Sequence, residues 1–234
     1  PDTSLPTSFA NLALSPAALA NLQQLGYSDM TPIQAASLPI ALAGQDLIAQ
    51  AQTGSGKTAA FALALLAKLN PRWFAVQALV LCPTRELADQ VTVEIRRLAR
   101  AEENLKVVTL CGGIALRGQR ASLENGAHVV VGTPGRIMDH LERGYLTLEG
   151  LNTLVLDEAD RMLDMGFFDD IAKVAKQCPA NRQTLLFSAT YPEGIEKLAR
   201  QFMREPQRVE VAPPKTESLI EQRFYEVTQP NRLH

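Results

Sequence analysis

The sequence contains little cysteine and no long apolar run. Its cysteines are Cys82, Cys111 and Cys178, an odd number at wide spacing without a CxxC pair, so neither a disulfide framework nor a zinc site is indicated. Cys82 and Cys111 end apolar runs, which predicts buried, reduced thiols and a cytoplasmic location. No stretch approaches the roughly 20 apolar residues of a membrane span, and none resembles a secretory signal. We therefore expect no membrane partner.

The sequence also lacks an excess of charge. Its 234 residues carry a formal net charge of -2, with 46% hydrophobic and 21% charged residues, which is typical of a globular domain with a substantial core. A strongly basic chain would indicate nucleic-acid binding by its charge alone. Here any such site has to be a local patch, and nothing indicates an oligomer.

Short apolar runs alternate with helix-like stretches along the chain. The runs are mostly continuous and rich in Val and Leu, which is typical of parallel strands buried on both faces. With helices between them, they predict an α/β fold, a doubly wound and mostly parallel sheet with helices on both faces. We expect strands at residues 46–50, 77–82, 106–111, 127–132, 153–157, 183–188 and 207–211. We expect helices near residues 15–25, 32–42, 57–69, 85–101, 134–142, 167–178 and 192–203.

The last part of the sequence follows a different pattern. Residues 1–212 are expected to form one domain, after which Pro213 and Pro214 interrupt the alternation. The following stretch, SLIEQRFYEVTQ, is typical of a linker and the first strand of a further domain. Residues 213–234 are therefore predicted to lead into a second domain that this sequence does not contain. The start at Pro1, without Met, also predicts a piece of a longer protein.

A glycine-rich loop follows the first predicted strand. Residues 50–58 read QAQTGSGKT, which resembles the phosphate-loop pattern GxxxxGK[ST] except at Ala51. Glycines let the backbone turn its N–H groups inward, and the following helix N-terminus favours anions. In this pattern the Lys reaches phosphates and the Thr hydroxyl can ligate magnesium. The expected nucleotide contacts are Gln52, Thr53, Gly54, Ser55, Gly56, Lys57 and Thr58. A Gly/Ser turn that merely precedes a helix is the alternative.

An acidic sequence follows the fifth predicted strand. Residues 151–160 read LNTLVLDEAD, which brings Asp157 and Glu158 to the carboxyl edge of the sheet. There Asp157 and Thr58 are expected to hold magnesium, and Glu158 to orient or deprotonate the attacking water. A solvated acidic turn that caps the next helix is the alternative. With the phosphate loop, the motif predicts nucleotide hydrolysis, with Lys57, Asp157 and Glu158 as the catalytic residues.

Six motifs in order resemble the N-terminal RecA-like domain of DEAD-box ATP-dependent RNA helicases, a P-loop fold. Ala51 also fits, because that family uses Ala at this place. Longer stretches most resemble the bacterial DbpA branch of the family. The resemblance implies ATP, Mg2+ and RNA as ligands, and local unwinding of RNA duplexes. The motifs are GYSDMTPIQ (26–34), PTRELA (83–88), Gly112–Gly113, TPGR (133–136), DEAD (157–160) and SAT (188–190).

The segment Thr31-Pro32-Ile33-Gln34 has two readings. As a helix start, Thr31 is the N-cap, Pro32 suits the first helical position and Gln34 completes a capping box. Yet the Gln amide also has the donor and acceptor that adenine's N6 and N7 edge requires. The resemblance implies that Gln34 reads adenine and that an upstream aromatic residue, here Phe9, packs on the base. Tyr27 and Thr31 are the other expected nucleotide contacts in this region.

Three motifs fall where strands end and helices begin, at junctions that offer free N–H groups to phosphates. The resemblance implies that they hold the backbone of single-stranded RNA with little sequence preference. The alternative is that Thr133-Pro134 is only a capping pair and that Arg136 pairs with a carboxylate. The expected RNA contacts are Pro83, Thr84, Arg85, Gly113, Thr133, Pro134, Gly135 and Arg136.

Three further residues are implied to couple the nucleotide and RNA sites: Asp160, Ser188 and Thr190. In the family the catalytic arginines lie in a second RecA-like domain, so that domain is an expected partner in cis and this domain alone should be nearly inactive. A DbpA-like protein would act on structured RNA, with ribosomal RNA and ribosome assembly as the implied setting. An ATP-gated RNA clamp that acts as an assembly scaffold, and a DNA helicase, are the alternative functions.

Overall fold

The fold is a central sheet between two layers of helices, given by a computed structural model that describes residues 5–212 and the backbone of residues 222–226. The strand order is β3-β4-β2-β5-β6-β1-β7-β8; the first seven strands are parallel, and β8 pairs antiparallel with β7. The strands are β1 (Leu47–Gln50), β2 (Ala78–Leu81), β3 (Val107–Leu110), β4 (Val129–Gly132), β5 (Thr153–Leu156), β6 (Gln183–Ser188), β7 (Gln207–Val211) and β8 (Gln222–Glu226).

The described residues contain nine α-helices. They are α1 (Pro16–Gln24), α2 (Pro32–Leu42), α3 (Lys57–Leu66), α4 (Arg85–Leu98), α5 (Leu116–Glu124), α6 (Pro134–Glu142), α7 (Ala159–Asp164), α8 (Phe168–Gln177) and α9 (Glu193–Phe202). The predicted fold class, a doubly wound and mostly parallel sheet, is confirmed.

Each central strand contributes to two separate cores. In β2, Ala78 and Val80 pack with α2, α3 and α4, whereas Leu79 and Leu81 pack with α6, α8 and α9. All four side chains are fully buried. Burial on both faces explains why these strands are continuous apolar runs, since no face of the sheet is left for polar residues.

The strand register brings the ends of four strands to one edge. Gln50 pairs with Ser188, and Leu156 pairs with both Leu81 and Leu186. The chain leaves the sheet directly after Gln50, Leu81, Leu156 and Ser188. The phosphate loop, the PTRELA turn, the acidic sequence and the SAT turn therefore meet at this edge, where ligands bind in open parallel sheets.

Two helices were not predicted from the sequence. Helix α5 contains Gly118 and lacks a side-chain cap, so it has a weak start signal and an interior residue that disfavours helix. Helix α7 has only six residues and begins after Glu158, whose backbone is left-handed at φ 49°. Both helices are stabilised by tertiary context, which local propensity does not report.

The three cysteines are buried and unpaired, as predicted. Within the described ranges, no helix combines the length and apolar character needed to cross a bilayer. Most of residues 213–234 lie outside the described residues, so the predicted linker and domain boundary stay predictions. Residues 222–226 do form β8, in which Phe224 pairs with Val209 of β7.

Candidate functional site

The phosphate loop is tied to the sheet at its start and continues into a helix at its end. The N–H of Ala51 donates to the carbonyl of Ser188 at 2.9 Å, which ties the start of the loop to β6. Gly54 and Gly56 have φ angles of +83° and +88°, in the left-handed region that favours glycine. The loop leads directly into α3, so its backbone amides and the helix N-terminus face the same space.

Lys57 contacts the acidic residues directly. Its Nζ lies 2.8 Å from Asp157 Oδ1 and 3.6 Å from Glu158 Oε1, and the Lys57 and Asp157 side chains are almost completely buried. Burial raises the pKa of Asp157 above its ordinary value, although the Lys57 ammonium opposes this shift. The three predicted catalytic residues therefore form one buried cluster, and the alternative reading of a solvated acidic turn does not describe Asp157.

Glu158 links this cluster to its surroundings. Its Oε1 accepts a hydrogen bond from the Thr53 hydroxyl at 3.0 Å, and its Oε2 lies 3.4 Å from Arg161 Nη1. A left-handed backbone at a non-glycine residue is strained, and such strain is typical of functional sites. With this backbone conformation, the Glu158 side chain points toward Thr53 of the phosphate loop.

Two buried polar atoms in the site lack a hydrogen-bond partner among the described residues. They are Asp157 Oδ2 and Ser55 Oγ. Buried polar atoms are normally satisfied, so these two atoms are available to bind a ligand. A carboxylate oxygen suits a hard cation such as Mg2+, and a hydroxyl beside a helix N-terminus suits a phosphate oxygen. Half-buried Thr58, in the first turn of α3, can add a second oxygen. The site therefore fits ATP and magnesium.

A cavity of about 600 Å3 opens beside the cluster. It extends from the phosphate loop to the start of α4 and to the SAT turn. The cavity is lined by Thr53, Lys57, Thr84, Glu86, Leu87, Gln90, Glu158, Asp160, Arg161 and Ala189. One space is thus bounded by predicted nucleotide, RNA and coupling residues.

Gln34 serves the helix start and the phosphate loop together. The predicted capping box is present, with Thr31 N donating to Gln34 Oε1 at 2.9 Å and Gln34 N donating to Thr31 Oγ1 at 3.5 Å. Gln34 Nε2 also donates to the Gly56 carbonyl at 3.0 Å. The amide keeps one donor hydrogen and one acceptor lone pair for other partners. Adenine recognition by Gln34 therefore stays a prediction compatible with the capping role.

The two aromatic residues of this region face the core rather than an open cleft. Phe9 is only 4% exposed, and its ring meets the Tyr27 ring edge to face at 6.1 Å. The Tyr27 hydroxyl donates to Glu94 of α4. Burial and Glu94 raise the pKa of Tyr27 to about 12. Contact of Phe9, Tyr27 or Thr31 with a nucleotide therefore remains a prediction, whereas their packing is established.

The predicted coupling residues are in contact. Asp160 Oδ2 accepts hydrogen bonds from Thr190 N at 3.1 Å and from Thr190 Oγ1 at 2.8 Å. Partial burial raises the pKa of Asp160, but hydrogen bonds from Thr190 and the Arg161 backbone outweigh it and leave the pKa below its ordinary value. Ser188 Oγ donates to the Thr190 carbonyl at 2.7 Å, which shapes the same turn.

The predicted RNA residues after β2 lie at a helix N-terminus. Pro83 is buried, and Thr84 is the N-cap of α4, its hydroxyl accepting from Leu87 N at 3.3 Å. The Arg85 side chain is about half exposed, with Asp89 at 4.0 Å. Arg85 Nη1 also lies 3.6 Å from the position of a Cβ built on Gly113. The PTRELA turn and the Gly112–Gly113 turn are therefore neighbours.

The TPGR residues have structural partners of their own. Thr133 is the N-cap of α6 without a side-chain cap bond, Pro134 is in the first turn and Gly135 is exposed. Arg136 Nη1 donates to the Ile114 carbonyl at 2.7 Å, and its Nε lies 3.7 Å from an Asp139 oxygen. Arg136 thus pairs with a carboxylate, as the structural alternative to RNA binding predicted. RNA contact by this turn stays a prediction.

Three residues of the site were missed by reasoning from the sequence. Arg161 contacts Glu158, Gln119 contacts Arg136 at 3.2 Å, and Gly132 lies under the TPGR turn. A Cβ on Gly132 would lie 2.4 Å from the Leu110 carbonyl. Arg161 could have been found from its spacing of three residues from Glu158 at a helix start. The sequence carries no comparable signal for Gln119.

Known proteins are similar to this chain in sequence and in fold. A family described as DEAD/DEAH box helicase matches residues 31–198. The chain is 54% identical over 228 residues to the ATP-dependent RNA helicase DbpA of Escherichia coli (strain K12), covering 97% of this chain and 50% of that protein. It is 46% identical over 228 residues to the DEAD-box ATP-dependent RNA helicase CshA of Geobacillus kaustophilus, covering 97% and 49%.

A solved structure of a DEAD box protein has the same fold as this chain. The crystal structure of a DEAD box protein from the hyperthermophile Methanococcus jannaschii has a TM-score of 0.84 at 41% identity, covering 87% of this chain and 56% of that one. The predicted resemblance to DbpA is confirmed, and the chain spans about half the length of the curated relatives it matches. With its motifs and its fold in agreement with these relatives, the chain belongs to the DEAD/DEAH box helicase family.

Proposed function

We propose that this chain is the ATP-binding part of an ATP-dependent RNA helicase core, and that it binds ATP with Mg2+ and the backbone of single-stranded RNA. Hydrolysis and local unwinding of RNA duplexes require a second RecA-like domain in cis, which the relatives' greater length supports. The observation that carries this proposal is the 2.8 Å contact of Lys57 with Asp157, beside an Asp157 oxygen that has no partner among the described residues.

The nucleotide is held by the segment from the phosphate loop to α3. Backbone amides of the loop, the helix N-terminus and Lys57 supply positive charge for phosphates, while Ser55 offers a buried hydroxyl. Asp157 and Thr58 would hold the magnesium ion. A magnesium ion held there would supply positive charge against the negative charge of the phosphates. Because Lys57 already pairs with Asp157, binding of nucleotide exchanges one anionic partner of Lys57 for another.

Glu158 is the residue placed to take a proton from water. Its carboxylate lies at the cavity wall, and Thr53 and Arg161 fix the orientation of its two oxygens. A positioned general base contributes roughly 10²–10⁴-fold to a rate. Thr53 is therefore a positioning residue for Glu158 in addition to its expected nucleotide contact.

RNA is held by the turns that follow β2, β3 and β4 and lead into helices. Thr84 and Thr133 are N-caps, and Arg85 adds an exposed positive charge. Such groups contact phosphates and sugars, so they grip RNA without reading its bases. The net charge of -2 agrees with a local patch rather than a basic surface. Resemblance to the DbpA branch alone extends the proposal to structured ribosomal RNA and to ribosome assembly in the cytoplasm.

The test compares the full-length protein with its Lys57→Ala variant. We expect the wild type to hydrolyse ATP in the presence of RNA and to separate a short RNA duplex but not a DNA duplex. The variant should lose both activities, and circular dichroism should show that it is still folded at the assay temperature. Unwinding of DNA but not RNA would contradict the proposal.

A second measurement distinguishes a helicase from an ATP-gated RNA clamp. The lifetime of the RNA complex is measured with ATP and with a non-hydrolysable analogue. A helicase releases RNA faster with ATP, because hydrolysis ends the bound state. Equal, long lifetimes would instead favour the clamp.

A further inference from the structure

A buried polar cluster lies next to the proposed RNA turns. Gln119 of α5 is 5% exposed, and its amide contacts three separate parts of the chain. Its Nε2 donates to the Cys111 carbonyl at 2.8 Å, directly after β3. Its Oε1 lies 3.2 Å from Arg136 Nη1 and 2.8 Å from His140 Nε2, both on α6. One side chain thus connects β3, α5 and α6.

These contacts determine the orientation of the amide and the tautomer of His140. A backbone carbonyl can only accept and a guanidinium can only donate, so Oε1 of Gln119 must face Arg136. His140 Nε2 faces the same oxygen and therefore carries the proton. Its Nδ1 is then an acceptor, and it has no hydrogen-bond partner among the described residues. Burial, followed by the nearby Arg136, lowers the pKa of His140, in agreement with a neutral ring.

The cluster reaches the chain on both sides of the Gly112–Gly113 turn. Gln119 binds the carbonyl before the turn, at Cys111, and Arg136 binds the carbonyl after it, at Ile114, at 2.7 Å. The turn itself is exposed, and Gly113 is in the left-handed region at φ +80°. Its position relative to α6 is therefore set by the amide of Gln119 and the guanidinium of Arg136 together.

We propose that Gln119, held by His140, is a positioning residue for RNA binding. It fixes the spacing between the Gly112–Gly113 turn and the TPGR turn, so that both can contact one RNA backbone. This inference rests on the proposed function, because it requires that these turns bind RNA. Gln119 suits this place because its amide donates on one side and accepts on the other. Glu would place a carboxylate oxygen against the Cys111 carbonyl, and Leu would remove all three hydrogen bonds.

The test uses RNA-stimulated ATP hydrolysis by the full-length protein. In Gln119→Glu and Gln119→Leu we expect the KM for RNA to rise about tenfold or more, since loss of a buried hydrogen-bond partner is costly. The KM for ATP should stay within about twofold. Thr92→Val is the matched control: it removes the partly buried 2.8 Å contact of Thr92 with Thr109, which also joins a helix to β3 but does not reach the turn. It should leave both KM values unchanged.

A pair of variants at His140 separates positioning from general stability. His140→Gln retains a donor at a similar reach and should keep the KM for RNA near the wild-type value. His140→Leu removes the donor and should raise it as the Gln119 variants do, at a comparable unfolding temperature. Equal KM values for RNA in these two variants would overturn the proposal, as would an equal rise in Thr92→Val.

Arg85→Ala distinguishes failure of this inference from failure of the proposed function. It removes an exposed charge at the proposed RNA turn without touching the Gln119 cluster. If it raises the KM for RNA while the Gln119 variants do not, only the positioning role is wrong. If the wild type shows no stimulation by RNA, the proposed function itself is wrong.

Discussion

Gln34 and Gly56 are joined by a 3.0 Å hydrogen bond from the Gln34 amide to the Gly56 carbonyl, although 22 residues separate them in sequence. The same Gln34 closes the capping box of α2. A Cβ on Gly56 would lie only 2.6 Å from Gln34 Nε2. The start of α2 and the end of the phosphate loop are therefore one packed unit, which ties the predicted adenine contact to the phosphate contacts.

Replacement of Gln34 by Ala should reduce the preference for ATP over GTP. The change removes both the expected adenine contact and the bond to Gly56, so we expect the ratio of the two dissociation constants to fall about tenfold. The measurement is titration of each nucleotide with Mg2+. Gln77→Ala is the control, because Gln77 is equally buried but bonds to Asn70 and Trp73 near the start of β2. An unchanged ratio in Gln34→Ala would show that this residue only caps α2.

Replacement of Glu158 by Gln in the full-length protein should abolish turnover and preserve ATP binding. The amide keeps the shape of the side chain but cannot take a proton from water, so kcat should fall about 10²-fold or more. The measurements are steady-state hydrolysis and the dissociation constant for ATP. Asp164→Asn, an exposed carboxylate at the end of α7, is the control and should change neither. Hydrolysis at the wild-type rate would show that Glu158 is not the base.

Replacement of Gly132 by Ala should destabilise the domain. The added methyl group would lie 2.4 Å from the Leu110 carbonyl and 2.7 Å from Ile137 Cδ1. Both β3 and α6 would therefore have to move away from the end of β4. Overpacking of this kind costs about 1–3 kcal/mol, which urea unfolding can measure. The control is Gly135→Ala, where an added Cβ meets nothing within 4 Å. Similar stability of the two variants would contradict the close packing at Gly132.

Loss of the Asp160 carboxylate should lower the free energy of unfolding by an amount that depends on pH. The pKa of Asp160 is below its ordinary value, so the folded state favours the charged form. The resulting stability is fully present above the unfolded pKa of about 3.9 and is lost as the pH falls through the lower folded pKa. Asp160→Asn should therefore be less stable than the wild type near neutral pH, and the difference should shrink below about pH 4.

Urea unfolding of both proteins across that range tests this expectation. Asp169→Asn, an exposed acidic residue in the first turn of α8, corrects for the general loss of negative charge. A stability difference that is constant with pH would show that the contact of Asp160 with Thr190 does not depend on ionisation.

The 234-residue chain alone should bind adenine nucleotide weakly and hydrolyse it barely. In related enzymes an arginine supplied across the cleft contributes about 10³–10⁵ in rate, and the expected source here is the second domain. We expect RNA-stimulated turnover by the chain to be at least about 10³-fold below that of the full-length protein. The measurement is phosphate release at saturating RNA, with Lys57→Ala as the blank. A rate near that of the full-length protein would mean that this chain contains the whole catalytic apparatus.

The sequence predicted the strands well because their burial on both faces leaves continuous apolar runs, as in Val129–Gly132. It predicted the phosphate loop because Gly54 and Gly56 adopt backbone angles that other residues rarely accept. It did not predict α5, whose start lacks a cap and whose interior contains a glycine. Short helices of this kind depend on packing that local propensity does not include.

By itself, the sequence determined the α/β fold class and predicted the phosphate loop and the acidic sequence at the strand ends, because backbone requirements and burial restrict the residue types at each place. Only the tertiary structure decided which of these residues meet: Lys57 with Asp157, Gln34 with Gly56, and Gln119 with Arg136 and His140. Such contacts depend on strand order and register, which bring together segments from distant parts of the sequence. A glutamine on a helix has no pattern in sequence that identifies its partners, since the geometry that selects them exists only after folding.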